Sequence, residues 1–353
     1  MLLQSELLFD SLYYMANSPI GIEINQHDIR MADAHFRSKV VYLQALGITD
    51  SLGQYFANIE AEITIQKQAQ IIHTLHSDLK LSHKQVNVVI PDTVSYSQII
   101  EMPILPEKEL ISAVKYQADE FIPMSIDDTY LDLEVLSTDT DIGKMSILIT
   151  AAPKRIVDGI FRTIQFAGLE ANRLETEVCS IGRLVSEIMK SRDLKEAYCV
   201  LNLGYSGSSL YFIDNTTHTI EFIKNTKVGY EIILKEIMVN LNLDSMNAAE
   251  VLHKPNERGK DVLDAMITSI RELSTEIGRS VDAYVHKKNL PVTRIFTVNY
   301  ASQIYGLTAV MAELTKLYVE PLPLNTVYVP NSVLKVFSAE ITEFASVVST
   351  SII

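Results

Sequence analysis

Hydrophobic positions along this chain follow two rhythms, and the alternation between them maps the expected elements. Short apolar runs with period-two alternation predict three strands across 20–46, a buried strand at 87–90 (NVVI), and further strands at SQIIEMP, TYLDLEVL and KMSILITAAP. Apolar residues spaced by three or four predict helices at 60–79, 154–167, 179–190 and 229–241. A helix over 106–122 opens with Pro106, carries Leu110, Ala113, Val114 and Phe121 on one stripe, and ends at Pro123. The region 244–290 reads as mainly helical, with one long helix over 261–287 (Val262, Met266, Ile270, Leu273, Ile277, Val281, Tyr284). A strand at 294–298, a helix near 303–317 and a terminal helix at 337–350 follow. At the start, Leu2, Leu3, Leu7, Leu8, Leu12 and Tyr13 predict an amphipathic helix over 2–15, docked on the body of the protein.

The stretch 197–214, AYCVLNLGYSGSSLYFID, has the clearest local pattern. An apolar strand, a turn of Gly204, Tyr205, Ser206 and Gly207, and a second apolar strand make a hairpin. Small residues in such a turn leave successive backbone amides uncovered, which is a concave site for an anion. Residues 20–34, GIEINQHDIRMADAH, repeat the strand–polar turn–strand pattern. Two hairpins, each opening one half of the chain, predict a duplicated fold with a cleft between the halves.

Composition narrows the function. With 353 residues the chain can build one or two domains with proper cores. Its 30 basic and 44 acidic residues give a net charge of −14, which repels nucleic acid. No apolar run approaches the roughly 20 residues of a membrane span, and the N-terminus lacks the basic start of a signal peptide. Cys179 and Cys199 sit in apolar stretches and read as buried free thiols of a reducing compartment. The expectation is a soluble, cytoplasmic protein. His73 and His76, near His83, make a possible metal cluster, although surface histidines account for them as well. No Gly-x-Ser-x-Gly or Walker-type loop is present.

The two hairpins resemble those of the actin-like ATPase superfamily. The run MPILPEKELISAVKYQADEFIPMSIDDTYLDLEVL resembles the PilM-type proteins of type IV pilus assembly, in the FtsA/PilM branch. The resemblance extends from about Ile20 to the end and is clearest in 101–153 and 197–235. It implies a two-domain actin-like fold of the α/β class (duplicated RNase H-like), with an α+β subdomain inserted in the first half. The implied boundaries are 1–95 with 173–195 for the first domain, 96–172 for the insert, 196–243 with 291–353 for the second domain, and 244–290 for a helical subdomain.

Carried over by motif, the resemblance implies a nucleotide site at Glu23, Asn25, Asn202, Gly204, Tyr205, Ser206, Gly207, Gly229, Glu276, Asn299 and Tyr300. Each motif departs from the family pattern. Glu23 and Asn25 stand for Asp and Gly in the first hairpin, with Arg30 where a lysine is frequent. Asn202 stands for Asp in the second hairpin, and Asn299 and Tyr300 lie where the adenosine motif has glycines. Glu276 and Arg279 match a charged pair on the adenosine-facing helix, a spacing that a solvated helix face also produces. A methylene longer than Asp, Glu23 suits the strict octahedron of Mg²⁺ poorly.

The expectation is therefore weak or lost nucleotide binding, no cofactor, and ATP with Mg²⁺ only if the pocket functions. The resemblance further implies a scaffold role. Its partners would be the N-terminal peptide of a PilN-like inner-membrane protein and other pilus platform components, with membrane contact only through them. An ATP-driven switch with slow ATPase activity is the alternative. An FtsA-like filament former ranks behind both, because SAEITEFASVVSTSII has no linker and few basic residues.

Overall fold

Ile20–Ile24 (β1) is buried at every residue, as a central strand must be. Asp28–Arg37 (β2) pairs with it antiparallel on one side and Gln85–Ile90 (β4) parallel on the other. Val40–Asp50 (β3) and Glu170–Thr176 (β8) complete a five-stranded sheet in the order β3-β2-β1-β4-β8. The computed structural model describes residues 18–37, 40–116, 122–189 and 196–352. The helix expected over 2–15 lies outside these residues, as does the end of the helix expected over 106–122.

A second five-stranded sheet repeats the plan. It contains Ala197–Leu203 (β9), Ser208–Asp214 (β10), Thr219–Thr226 (β11), Val292–Asn299 (β12) and Tyr318–Pro321 (β13), ordered β11-β10-β9-β12-β13. Again three antiparallel strands continue into two parallel ones. Matching strand orders make the duplication a property of the topology. Tyr96–Pro103 (β5), Thr129–Asp139 (β6) and Lys144–Pro153 (β7) form a separate antiparallel sheet, ordered β5-β7-β6.

The described helices are Glu62–Asp78 (α1), Glu107–Tyr116 (α2), Lys154–Phe166 (α3), Glu177–Met189 (α4), Tyr230–Leu241 (α5) and Ser245–His253 (α6). They continue with Gly259–Ala265 (α7), Ile267–Lys288 (α8), Leu307–Thr315 (α9), Ser332–Val336 (α10) and Ala345–Ser351 (α11). The chain divides into two units: Met1–Pro91, Lys154–Leu184 and Leu324–Ile353 in the first, Asp92–Pro153 and Val185–Pro323 in the second.

Three expectations differ from this structure. The insert was expected over 96–172, but its sheet ends at Pro153. Helix α3 packs on α1, Thr163 of α3 shares a 2.7 Å hydroxyl contact with Tyr55 in the turn before α1, and β8, expected in the first sheet from 174, joins it from Glu170. The end of the chain was assigned to the second domain, but α11 lies over β1 of the first unit. A Cβ on Gly21 would stand 1.9 Å from the Val347 carbonyl oxygen, so the helix backbone rests directly on the strand. Finally, the apolar stripe over 261–287 spans two helices that meet at Met266.

Candidate functional site

The expected site residues fall in both units, and each set has its own local architecture. In the first unit, residues 25–27 turn the chain between β1 and β2. The Asn25 amide donates to the Asp28 carbonyl at 2.8 Å, and Asn25 Nδ2 donates to Asp28 Oδ1 at 3.2 Å. Arg30, fully buried on β2, crosses from Glu23 in the ladder. Its Nη2 donates to Asp28 Oδ2 at 3.1 Å, and its Nη1 donates to the Glu343 carbonyl at 2.8 Å while lying 3.8 Å from Glu23 Oε2.

Glu23 is fully buried as well, and the Ser346 hydroxyl of α11 donates to its Oε2 at 2.8 Å. Burial pushes the Glu23 carboxyl above its ordinary value, against the pull of Arg30 and of hydrogen bonds with Glu177 and Ser346. The side chain at the first motif position thus holds β2, α4 and α11 together. Neither Arg30 as its ion-pair partner nor Ser346 as its donor was marked as a partner in the sequence. Ser346 lies 323 residues away along the chain.

In the second unit, the 204–207 turn is closed by the start of α5. The Tyr230 amide donates to the Gly204 carbonyl at 3.0 Å and the Glu231 amide to the Tyr205 carbonyl at 2.9 Å. Amides at a helix start are the groups an anion would use, and here they are spent on the turn. A Cβ on Gly229 would stand 2.4 Å from the Gly207 nitrogen. Close backbone packing is therefore reason enough for glycine at 229.

Asn202, buried on β9, donates from Nδ2 to the Tyr211 hydroxyl at 3.0 Å and accepts at Oδ1 from Asn299 Nδ2 at 3.1 Å. Tyr211 in turn donates to the Asp92 carboxylate. Side-chain amides and a phenol thus occupy the position where the family pattern has a carboxylate. Asn299 adopts φ 62°, ψ −138°. A positive φ is uncommon for a residue with a side chain, and Asn is among those that adopt it most readily.

Tyr300, next in the chain, is buried against Tyr230 with ring centroids 5.1 Å apart, and Tyr205 lies 5.8 Å from Tyr300 and 6.1 Å from Tyr230. The three tyrosines come from the turn, the start of α5 and the adenosine motif, and they close on one another as part of the unit's core. Tyr230 was the member that sequence reading missed. Burial, and then the charge of Glu231, raise the Tyr205 hydroxyl above its ordinary value. Glu276 and Arg279 form a 2.7 Å surface ion pair, with Arg279 72% exposed.

Among the described residues no His, Cys, Asp and Glu side chains group as metal ligands. His73 Nδ1 meets the Ala167 carbonyl at 3.2 Å, and His76 Nε2 meets the His83 carbonyl at 2.9 Å, so each ring has a different partner. Cys199 is buried and Cys179 half-buried, neither in a disulfide, and burial raises the Cys199 thiol. Among the described residues no helix is long and apolar enough to cross a membrane.

Two sheets of one topology, each opened by a hairpin, define a protein of the actin-like fold. The fold is similar to that of the PilM–PilN type IV pilus biogenesis complex, with TM-score 0.82 at 19% identity over 95% of this chain and 98% of that one. It is also similar to the ethanolamine utilization protein EutJ from Carboxydothermus hydrogenoformans, with TM-score 0.56 at 11% identity over 94% and 88% of the two chains. Comparison with curated protein sequences gives no match. The family model described as type IV pilus assembly protein PilM matches residues 21–332. The chain belongs to that PilM family.

Proposed function

We propose that this protein is a scaffold of a type IV pilus assembly machine or related secretion system, which docks the N-terminal peptide of a PilN-like inner-membrane protein. It would work in the cytoplasm, reaching the membrane and other platform components through that partner. Likeness in fold to the PilM of a PilM–PilN complex across nearly the whole chain carries the reading.

Nucleotide plays little part in this proposal. Glu23 is fully buried and bonded within its own unit. The Tyr205, Tyr230 and Tyr300 rings fill space on the second unit beside Asn299, which is held at positive φ. Both features support a weak or lost site for ATP and Mg²⁺.

The test is calorimetry on the purified chain with two titrants. A synthetic N-terminal peptide of the PilN-like protein from the same genome should bind in the micromolar range. Mg-ATP should give no heat at millimolar concentration. Peptide binding absent from a folded protein refutes the scaffold reading. Micromolar Mg-ATP binding would put the ATP-driven switch in its place.

A further inference from the structure

Strand β2 buries an ionisable pair away from the candidate site. Asp33 and His35, two residues apart, share a face of the strand with Met31. Met31 pairs with Gly47, and a Cβ on Gly47 would meet Leu75 and Leu79, so the end of α1 covers this face. Asp33 is 8% exposed and His35 7%. The ring and the carboxylate lie within ion-pair range, His35 Nε2 standing 3.5 Å from Asp33 Oδ1. His83, from the loop between α1 and β4, acts electrostatically on both.

Among the described residues, Asp33 Oδ1, His35 Nδ1 and His83 Nε2 are buried without a hydrogen-bond partner. A neutral imidazole tolerates this, because one of its nitrogens carries no proton. His35 can keep its proton on Nε2, facing Asp33, and leave Nδ1 bare. A second proton must go to Nδ1, where a buried donor of a charged ring finds no acceptor. Burial, with the charge of His83, pushes His35 below its ordinary 6.5 against the pull of Asp33. Burial also raises the Asp33 carboxyl above its ordinary 3.8, against the pull of His83 and His35.

The neighbouring elements bring few other charges. Across the ladder, Tyr42 pairs with His35 and Ala45 with Asp33. From α1, His76 Nε2 donates to the His83 carbonyl at 2.9 Å. Arg37 on β2, Asp78 and Lys80 at the end of α1, and Lys84 beside His83 are exposed.

The two sides of the cluster are held differently. Strand β2 is laddered to β1 and to β3. Residues 81–84 form neither helix nor strand. The Leu81 amide donates to the His76 carbonyl at 3.3 Å, and the Glu170 amide to the Lys84 carbonyl at 2.9 Å. The loop is the side that yields.

We propose that Asp33, His35 and His83 form an acid-sensitive latch, which holds the 81–84 loop on β2 while the His35 ring is neutral and releases it when that ring is charged. The latch belongs to the first unit alone and does not depend on the docking function. With the loop released, His35 meets water and takes up its proton near 6.5; with the loop closed, it does so at lower pH. The closed form is therefore lost as pH falls below 6.5. Asp33 acts in the opposite sense, because its closed value is the higher one, and the closed form recovers as pH falls through that value.

The test is amide exchange on the full chain between about pH 7.5 and about pH 5.5, as protection factors with the intrinsic pH effect divided out. Protection of the Leu81 and Glu170 amides is expected to fall about fivefold or more over that range. Protection of the Asn25 amide, bonded to Asp28 in the turn between β1 and β2, is expected to stay constant. His35→Gln should remove the fall, and Asp33→Asn should deepen it, because the charged ring loses its counter-ion. His83→Gln, altered at a half-buried loop position, should make the fall shallower and carries the test if His35→Gln does not fold. A purely structural defect would instead lower protection alike at both ends of the range. Constant protection at Leu81 and Glu170 in the wild type, an equal fall at Asn25, or an unaltered fall in His83→Gln overturns the latch.

Discussion

Replacing Gly21 by Ala tests how the end of the chain is built into the first unit. The new Cβ would sit 1.9 Å from the Val347 carbonyl oxygen and 2.8 Å from its carbon, both backbone atoms. A carbon–oxygen contact needs about 3.3 Å, so α11 must lift by more than about 1 Å or β1 must give way. Neither can move alone. Asn87 Nδ2 donates to the Thr350 carbonyl at 2.6 Å, Ser180 Oγ to the Ser346 carbonyl at 2.6 Å, and Ser349 Oγ to the Ser180 carbonyl at 2.6 Å. The Ser346–Glu23 bond is a fourth restraint. All of these are buried, and breaking each costs on the order of 1 kcal/mol.

Gly21→Ala should therefore destabilise the first unit by about 3–5 kcal/mol. With no tryptophan in the sequence, urea unfolding is followed by circular dichroism and tyrosine fluorescence. The two units can unfold separately, so amide exchange along β1 and 345–351 assigns the loss to the first. Gly53→Ala is the control, because a Cβ there meets nothing within 4 Å. A loss below about 1 kcal/mol for Gly21→Ala, or the same loss for Gly53→Ala, would refute the direct strand–helix contact.

Two further outcomes follow from the second unit. Gly278 lies inside α8 with open space at its Cβ position, so Gly278→Ala should stabilise the unit by about 0.5–1 kcal/mol, read as a higher urea midpoint at unchanged slope. Lys287, mainly through a hydrogen bond, holds the Glu101 carboxyl below its ordinary 4.5. Since the folded value is the lower one, the stabilisation is complete above pH 4.5 and is lost as pH falls through the folded value. Exchange at β5 should accelerate in that acid window, and Glu101→Gln should remove the acceleration. Exchange insensitive to both would dismiss the pair as a tie.

How far the chain could be read without its fold follows from the range of the interactions involved. The strand KMSILITAAP was legible to the residue and each strand of the hairpin at 197–214 to within one, because alternation and a glycine turn are local causes. The likeness of the two hairpins was visible too, and both sheets carry it through to the same strand order. Strand β13 was not anticipated; four residues ending in Pro321 carry too little pattern, and pairing with β12 decides them. The break at Met266 left no mark, because both helices turn their apolar faces to one core and the stripe runs on across the joint.

At the candidate site, the sequence displayed every departure from the family motifs but not what each substituted side chain would do. The residue types at 23, 202, 299 and 300 were plain. That Glu23 would be bonded by Ser346, that Asn202 would join Asn299 to Tyr211, and that Tyr300 would meet Tyr230 depends on partners far away in the chain. The same holds for α11, whose residues ASVVSTS show no amphipathic stripe because every face of the helix is buried. By itself the sequence determined most of the elements, the likeness of the two hairpins and the altered motifs, since periodicity and turn chemistry act over a few residues. Only the tertiary structure decided where α11 lies and which groups fill the motif positions, because backbone contact at Gly21 and pairing of buried polar atoms exist only once distant segments meet.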